Sequence, residues 1–200
     1  MPPMPPITKA FMLACVGMFC IGLLLPFGSL EVLLALWPLG SGRFWPWQVV
    51  TYAFLHGSVM HLFFNMLGLW MFGSEIERLW GSRRYLHFLL ASVLSAAVAQ
   101  LLFTQLMGSI YPTVGASGAL FGLLLAFGMM FPNRTIIPLF PPIPMKAKVF
   151  VAIFGGLELL MGMSGGSGSG IAHFAHLGGM LGGFLMIRYW RGQAPFGRRR

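Results

Sequence analysis

The sequence predicts an all-α membrane protein, a bundle of six transmembrane helices with a large outside loop after the first. Three observations carry that expectation. The 200 residues are 57% hydrophobic and only 8% charged, with positive mean hydropathy, whereas a soluble domain carries about 25% charged residues. Six apolar segments stand out, at 10–30, 58–79, 85–107, 114–131, 149–163 and 171–190, close to the roughly 17–25 residues that cross a bilayer as a helix. If they alternate from a cytoplasmic N-terminus, twelve of the 13 Lys and Arg residues fall inside and only Arg43 falls outside. That asymmetry is what fixes orientation in a membrane. The chain is therefore expected to be one membrane domain over 1–200, with short cytoplasmic tails at about 1–9 and 191–200.

The first span is too long for a signal-peptide core and has no small-x-small cleavage site after it, so it is expected to be retained. Cys15 and Cys20 both lie in it and point in different directions on a helix, which suits small apolar packing residues rather than a disulfide or a metal site. The outside loop 31–57 holds Trp37-Pro38, Gly40-Ser41-Gly42 and Phe44-Trp45-Pro46-Trp47. Tryptophan at that density suits the headgroup belt. The second span begins at Ser58, a helix-capping residue type. His61 and Asn65 are four apart and share a face of that helix, while His56 stays in the loop. Glu75, Glu77, Arg78, Arg83 and Arg84 read as a charged cytoplasmic boundary, with His87 an interfacial residue beside it.

The fourth span opens at Ser117. Five prolines in 132–148 make the next cytoplasmic loop extended rather than helical. Glu158, in the outward half of the fifth span, reads as a hydrogen-bonded structural residue. The segment 164–170, Ser-Gly-Gly-Ser-Gly-Ser-Gly, is a flexible linker, either a gate beside His176 or a plain connector. The net charge of +9 is spread as topology determinants that face anionic lipid, so no nucleic-acid partner is expected, nor one for the tail Arg198–Arg200.

Ser117 lies in Gly115-Ala116-Ser117-Gly118. Glycine lets the backbone approach a substrate closely, and a helix N-terminus offers unpaired N–H groups and a positive dipole end, as a tetrahedral oxyanion requires. Taken alone, the serine reads more readily as a packing residue, because Gly118 and Gly122 form a small-residue pair typical of helix contacts. His176 alters that balance, since ionisable side chains inside spans are expensive and tend to be functional. It shares a helix face with Gly179 and Gly183. Packing that stripe on Gly118 and Gly122 would carry His176 towards Ser117. His173 is the rival base but lacks the glycine stripe. The chain contains no aspartate, so a Ser-His-Asp triad is excluded and the two residues would act as a dyad. His56, His61 and Asn65 form a third element able to donate to an oxyanion. A metal among His56, His61, His173 and His176 is disfavoured, because no aspartate is available and the spacing is not that of a zinc helix. No metal or cofactor is expected.

Taken together, His-x4-His-x3-Asn at 56–65, Gly-x-Ser-Gly at 115–118 and Ala-His-x2-Gly-x3-Gly at 175–183 resemble the rhomboid family of intramembrane serine proteases, and the resemblance runs over the whole chain. It implies cleavage of transmembrane protein substrates near the outer membrane face, with Ser117 as nucleophile and His176 as general base. It further implies an oxyanion hole from the Ser117 N–H, His61 and Asn65, and an aromatic, here Phe121, beneath the histidine. Trp47-Gln48 departs from the Trp-Arg that many bacterial members carry, which argues against a role for an arginine in the first loop but leaves the dyad untouched. The expected location is a bacterial cytoplasmic membrane. The competing function is a non-catalytic rhomboid-like protein that binds membrane clients; such a protein should lack the serine or the histidine. A transporter is disfavoured by the lack of inverted repeats, and an α/β-hydrolase by the missing second elbow glycine.

Overall fold

The computed structural model describes residues 3–26, 28–139, 141–163 and 172–195, which are mostly helical. The segment 164–170 and the tail Arg198–Arg200 lie outside the described residues.

Helix α1 spans Pro6–Leu24. Proline is tolerated at its first position because that N–H would have no helical partner. Its end precedes Pro26, which forces Leu25 out of the helical region to φ −94° and ψ 160°. The two prolines thus place the helix earlier than the predicted 10–30. Its first N–H groups are capped from elsewhere in the chain. Glu77 accepts from the backbone N–H of Ile7 at 3.0 Å and of Thr8 at 2.7 Å, from the Thr8 hydroxyl at 2.8 Å and from Ser82 Oγ at 2.7 Å. With 2% exposure, Glu77 is not part of a solvated charged boundary, which corrects the sequence reading. A carboxylate suits this place because it meets orphan donors at the positive end of the helix.

The first loop is built of short helical turns rather than irregular chain: α2 Ser29–Leu34, a 3-10 turn at Leu39–Ser41, α3 Gln48–Thr51 and a second 3-10 turn at Tyr52–Phe54. Buried Gln48 organises it. Its Oε1 accepts from the N–H of Trp37 and Trp45, and its Nε2 donates to the carbonyls of Arg43 and Leu33. Trp45 and Trp47 stack with centroids 5.0 Å apart and remain exposed.

Ser58 caps α4, Val59–Gly68, by accepting from the His61 N–H at 3.1 Å. A π-helical turn at Leu69–Gly73 joins α4 to α5, Ser74–Trp80. Then follow α6, Ser82–Met107, and α7, Ser117–Met130. The proline-rich segment is extended and holds two antiparallel strands, β1 Thr135–Ile136 and β2 Met145–Lys146, with Thr135 opposite Lys146. Helices α8, Ala147–Met163, and α9, His173–Trp190, follow. Among the described residues, α1 and α6 are long and apolar enough to cross a membrane; α7 is apolar but has only 14 residues. Large apolar side chains are exposed on several helices, among them Leu23 of α1, Leu102 of α6 and Leu160 of α8.

Helix α9 is wedged between α6 and α7. A methyl group on Gly178 would meet Ala99 Cβ at 2.5 Å, and one on Gly182 would meet the Ala91 carbonyl oxygen at 2.6 Å, both on α6. One residue round the helix, Gly179 presses on the Gly118 backbone and Gly183 lies against Gly122 and Phe88. Helices that gain nothing from excluding water associate through such close contacts between small residues. Of the two stripes, only the Gly179–Gly183 one was singled out in the sequence.

Candidate active site

The backbone ahead of Ser117 is pinned from the first loop. Thr113 and Leu36 exchange two backbone hydrogen bonds at 2.9 and 3.0 Å, and the Gly115 N–H donates to the Tyr52 carbonyl at 3.0 Å. Tyr52 is itself anchored by its hydroxyl, which donates to the Val93 carbonyl of α6 at 2.9 Å. Gly115 has φ +126°, a conformation that disfavours any side chain. There is also no space for one, because a methyl group would stand 2.7 Å from Cε1 and Nε2 of His61. The turn thus lays the His61 ring on Gly115 and starts α7 at Ser117, whose N–H has no partner within the helix ladder.

His176 lies on the first turn of α9 and is buried. Its Nε2 is 2.7 Å from Ser117 Oγ. Phe121, one turn after Ser117 on the same face, stacks on the imidazole with centroids 4.3 Å apart and planes 7° from parallel. The glycines set the approach, since Gly118 follows Ser117 directly and Gly179 is one turn from His176.

On the far side of the imidazole stands Glu158 of α8. Its Oε2 is 2.7 Å from Nδ1 of His173 and 2.9 Å from Nδ1 of His176. The bond to His173 is aligned as a hydrogen bond. The contact to His176 is at ion-pair distance but out of line for one, which leaves that nitrogen without an aligned partner; it acts through charge. A carboxylate beside Nδ1 favours the proton there, so Nε2 becomes the acceptor for the Ser117 hydroxyl. His173, the rival base of the sequence reading, therefore engages Glu158, while the partner of Ser117 is His176.

His56 and His61 meet edge to face with centroids 5.0 Å apart. Burial, helped by the neighbouring His61 and opposed in part by the backbone at Phe54, pushes the His56 imidazole down to about 4, so it is neutral at pH 7. Asn65 is buried, and its Nδ2 donates to the His61 carbonyl of its own helix at 2.9 Å. In this structure the amide turns back into α4. The four histidines near Ser117 thus fall into two pairs. Among the described residues, the side chains whose potential ligand atoms gather are not the four histidines named from the sequence but Glu158, His173 and His176, whose atoms lie within 4.8 Å of one another.

Glu158 is the site residue that sequence reasoning placed without its partners. The signal was present: Gly155, Glu158 and Gly162 follow the spacing that puts residues on one helix face, the same rule that singled out His176, Gly179 and Gly183.

Residues 43–192 match the family model of the rhomboid domain. The chain is 33% identical over 144 residues to the rhomboid protease GluP of Bacillus subtilis, covering 70% of this chain and 25% of that protein. It is 32% identical over 141 residues to the mitochondrial rhomboid protein 1 of Saccharomyces cerevisiae, covering 69% of this chain and 40% of that one. With the rhomboid protease GlpG of Yersinia pestis it shares 30% identity over 192 residues, 92% of this chain and 62% of the relative. The chain therefore spans less than two thirds of the length of each of these relatives.

Proposed function

The chain belongs to the rhomboid family, and from that premise we propose that it is an intramembrane serine endopeptidase that cleaves transmembrane proteins near the outer membrane face. The observation that carries this reading is the 2.7 Å contact between Ser117 Oγ and His176 Nε2. A nucleophile and a base in hydrogen-bond reach, with the base oriented by other groups, is the arrangement that activates a serine hydroxyl.

The Ser117 hydroxyl proton passes to His176 Nε2 as Oγ bonds to the scissile carbonyl carbon, whose electron pair moves onto oxygen. The Ser117 N–H, His61 and Asn65 receive that oxyanion, with His56 beside the His61 ring in support. Asn65 would have to turn away from the His61 carbonyl to do so; donors in an unliganded enzyme often align only in the complex. His176 then gives its proton to the leaving amine as the C–N bond breaks. Water repeats the cycle on the acyl group and restores Ser117. A helical substrate has its backbone groups already paired, so cleavage requires local unwinding, and substrates with helix-breaking residues near their outer end fit best.

The same reading takes the chain as a six-span bundle with both termini in the cytoplasm, by the distribution of its basic residues. The client-binding alternative is not favoured, because both Ser117 and His176 are present and in contact. The test is labelling of the purified protein in detergent by a fluorophosphonate probe, together with cleavage of a single-span model substrate. Wild type should do both and Ser117→Ala neither. A wild-type protein that binds the substrate but neither cleaves nor labels would support the client-binding alternative instead.

A further inference from the structure

Glu158 is the carboxylate that the reaction above leaves unused. The chain has four acidic residues; Glu31 lies in α2, Glu75 pairs with Arg134, and Glu77 caps α1. Glu158 lies between Gly155 and Gly162 on the face of α8 that meets α9. A methyl group on Gly155 would meet Met180 Cε at 3.1 Å, and one on Gly162 would meet Phe174 Cε2 at 2.9 Å and His173 Cβ at 3.4 Å. These close approaches bring the carboxylate, 13% exposed, between two imidazoles. Taking an anion out of water costs several kcal/mol unless it is paired, and a purely structural pairing would be met by His173 alone. Yet the same oxygen also stands 2.9 Å from the His176 nitrogen remote from Ser117.

We propose that Glu158 is a positioning residue for the reaction: it keeps a proton on Nδ1 of His176, so that Nε2 faces Ser117 as the acceptor, and its charge offsets the imidazolium formed when Ser117 gives up its proton. The Nδ1 proton stays in place and Glu158 stays ionised throughout, so the only proton that moves is the one passing through Nε2. His173, through its aligned 2.7 Å bond, braces the carboxylate. The dyad read from the sequence is thus completed by an acidic residue from a third helix. This inference rests on the protease reading.

The experiment uses the full chain, purified as wild type, Glu158→Gln, Glu158→Ala, His173→Ala and Ser117→Ala. It measures kcat and KM on one model transmembrane substrate, the rate of fluorophosphonate labelling, and thermal unfolding. Removing the acidic partner of a catalytic histidine in a soluble protease is strongly deleterious, so Glu158→Gln is expected to lower kcat and the labelling rate by about tenfold or more. KM should stay within about twofold, as for an interaction made mainly in the transition state, and the unfolding temperature should not move. Glu158→Ala should lose more than His173→Ala, which leaves the carboxylate beside His176. Wild-type kcat in Glu158→Gln overturns the proposal, as does a kcat loss that only tracks a fall in unfolding temperature. An active wild type with an unaffected Glu158→Gln sinks this inference alone, whereas a wild type that neither cleaves nor labels removes the protease reading beneath it.

Discussion

Gly179 of α9 stands against the carbonyl oxygen of Gly118 in α7 so closely that a single methyl group at position 179 has no room. This contact neighbours the bond between His176 and Ser117 on both helices, so helix packing and the reacting geometry are linked. Gly179→Ala should therefore separate α7 from α9. Overpacking a tight contact costs typically about 1–3 kcal/mol, and the unfolding temperature and the activity should fall together. Gly156→Ala is the control, because a methyl group there meets nothing within 4 Å. A Gly179→Ala protein as stable and active as wild type would show that the two backbones do not approach as described.

Ser117→Ala should abolish cleavage of a model transmembrane substrate and leave the unfolding temperature unchanged. His176→Ala should do the same. The double variant should be no worse than either single one, because residues that act as a unit are strongly non-additive. Steady-state cleavage assays on the three proteins decide it; turnover at the wild-type rate in Ser117→Ala would exclude that residue as nucleophile.

Local patterns made much of this arrangement legible. The Ser58 cap and the extended proline-rich segment follow from residue types within a few positions of one another; the break before Pro26 is equally local, yet the expected span 10–30 runs through it. The approach of His176 to Ser117 could be read because two glycine pairs at the same spacing predict which helix faces meet. Three polar residues could not be read in this way. Glu77 caps a helix that begins about seventy residues earlier, Gln48 ties four backbone groups of the first loop, and Glu158 reaches across to α9. A buried polar side chain must be satisfied, but sequence does not say by which distant group, so Glu77 reads as a boundary charge and Glu158 as a hydrogen-bonded structural residue whose partners go unnamed. The turns of the first loop were missed for a related reason: they are too short for periodicity to reveal, and it is Gln48 that holds them.

Orientation is testable without any chemistry. In a variant with Cys15 and Cys20 replaced by alanine, a cysteine at exposed Tyr111, between α6 and α7, should react with an impermeant thiol reagent added to intact cells. One at exposed Asn133, after α7, should react only once the membrane is opened. The reverse pattern would invert the bundle and move the site of cleavage to the cytoplasmic side.

His56 predicts a pH dependence of stability. Its folded-state value of about 4 lies below the ordinary 6.5, so between those limits the unfolded chain binds more protons than the native one. Stability is then complete above pH 6.5 and falls as the pH drops towards 4, by roughly 3 kcal/mol for a shift of this size. Thermal unfolding across that window should show a steeper acid loss for wild type than for His56→Gln. Parallel curves for the two proteins would mean that His56 is not held neutral by its surroundings.

The roles of His61 and Asn65 differ in what the structure requires of each. The His61 ring already lies on Gly115 beside Ser117, whereas the Asn65 amide is engaged with the His61 carbonyl. If both stabilise the oxyanion, they act in the transition state, and each alanine variant should lower kcat more than it raises KM. Loss of a single oxyanion donor in a soluble serine protease costs about a hundred- to thousandfold in rate; three donors sharing the charge here should make each loss smaller. Asn65 has a second function to lose, because its hydrogen bond within α4 contributes about 1 kcal/mol of stability. Asn65→Ala is therefore expected to show a small fall in unfolding temperature along with its kcat defect, and His61→Ala a kcat defect with little change in stability. Steady-state kinetics with thermal unfolding on the same preparations separates the two effects. An Asn65→Ala protein whose activity falls only in proportion to its stability would leave His61 and the Ser117 N–H as the oxyanion donors and make Asn65 a residue of the helix alone.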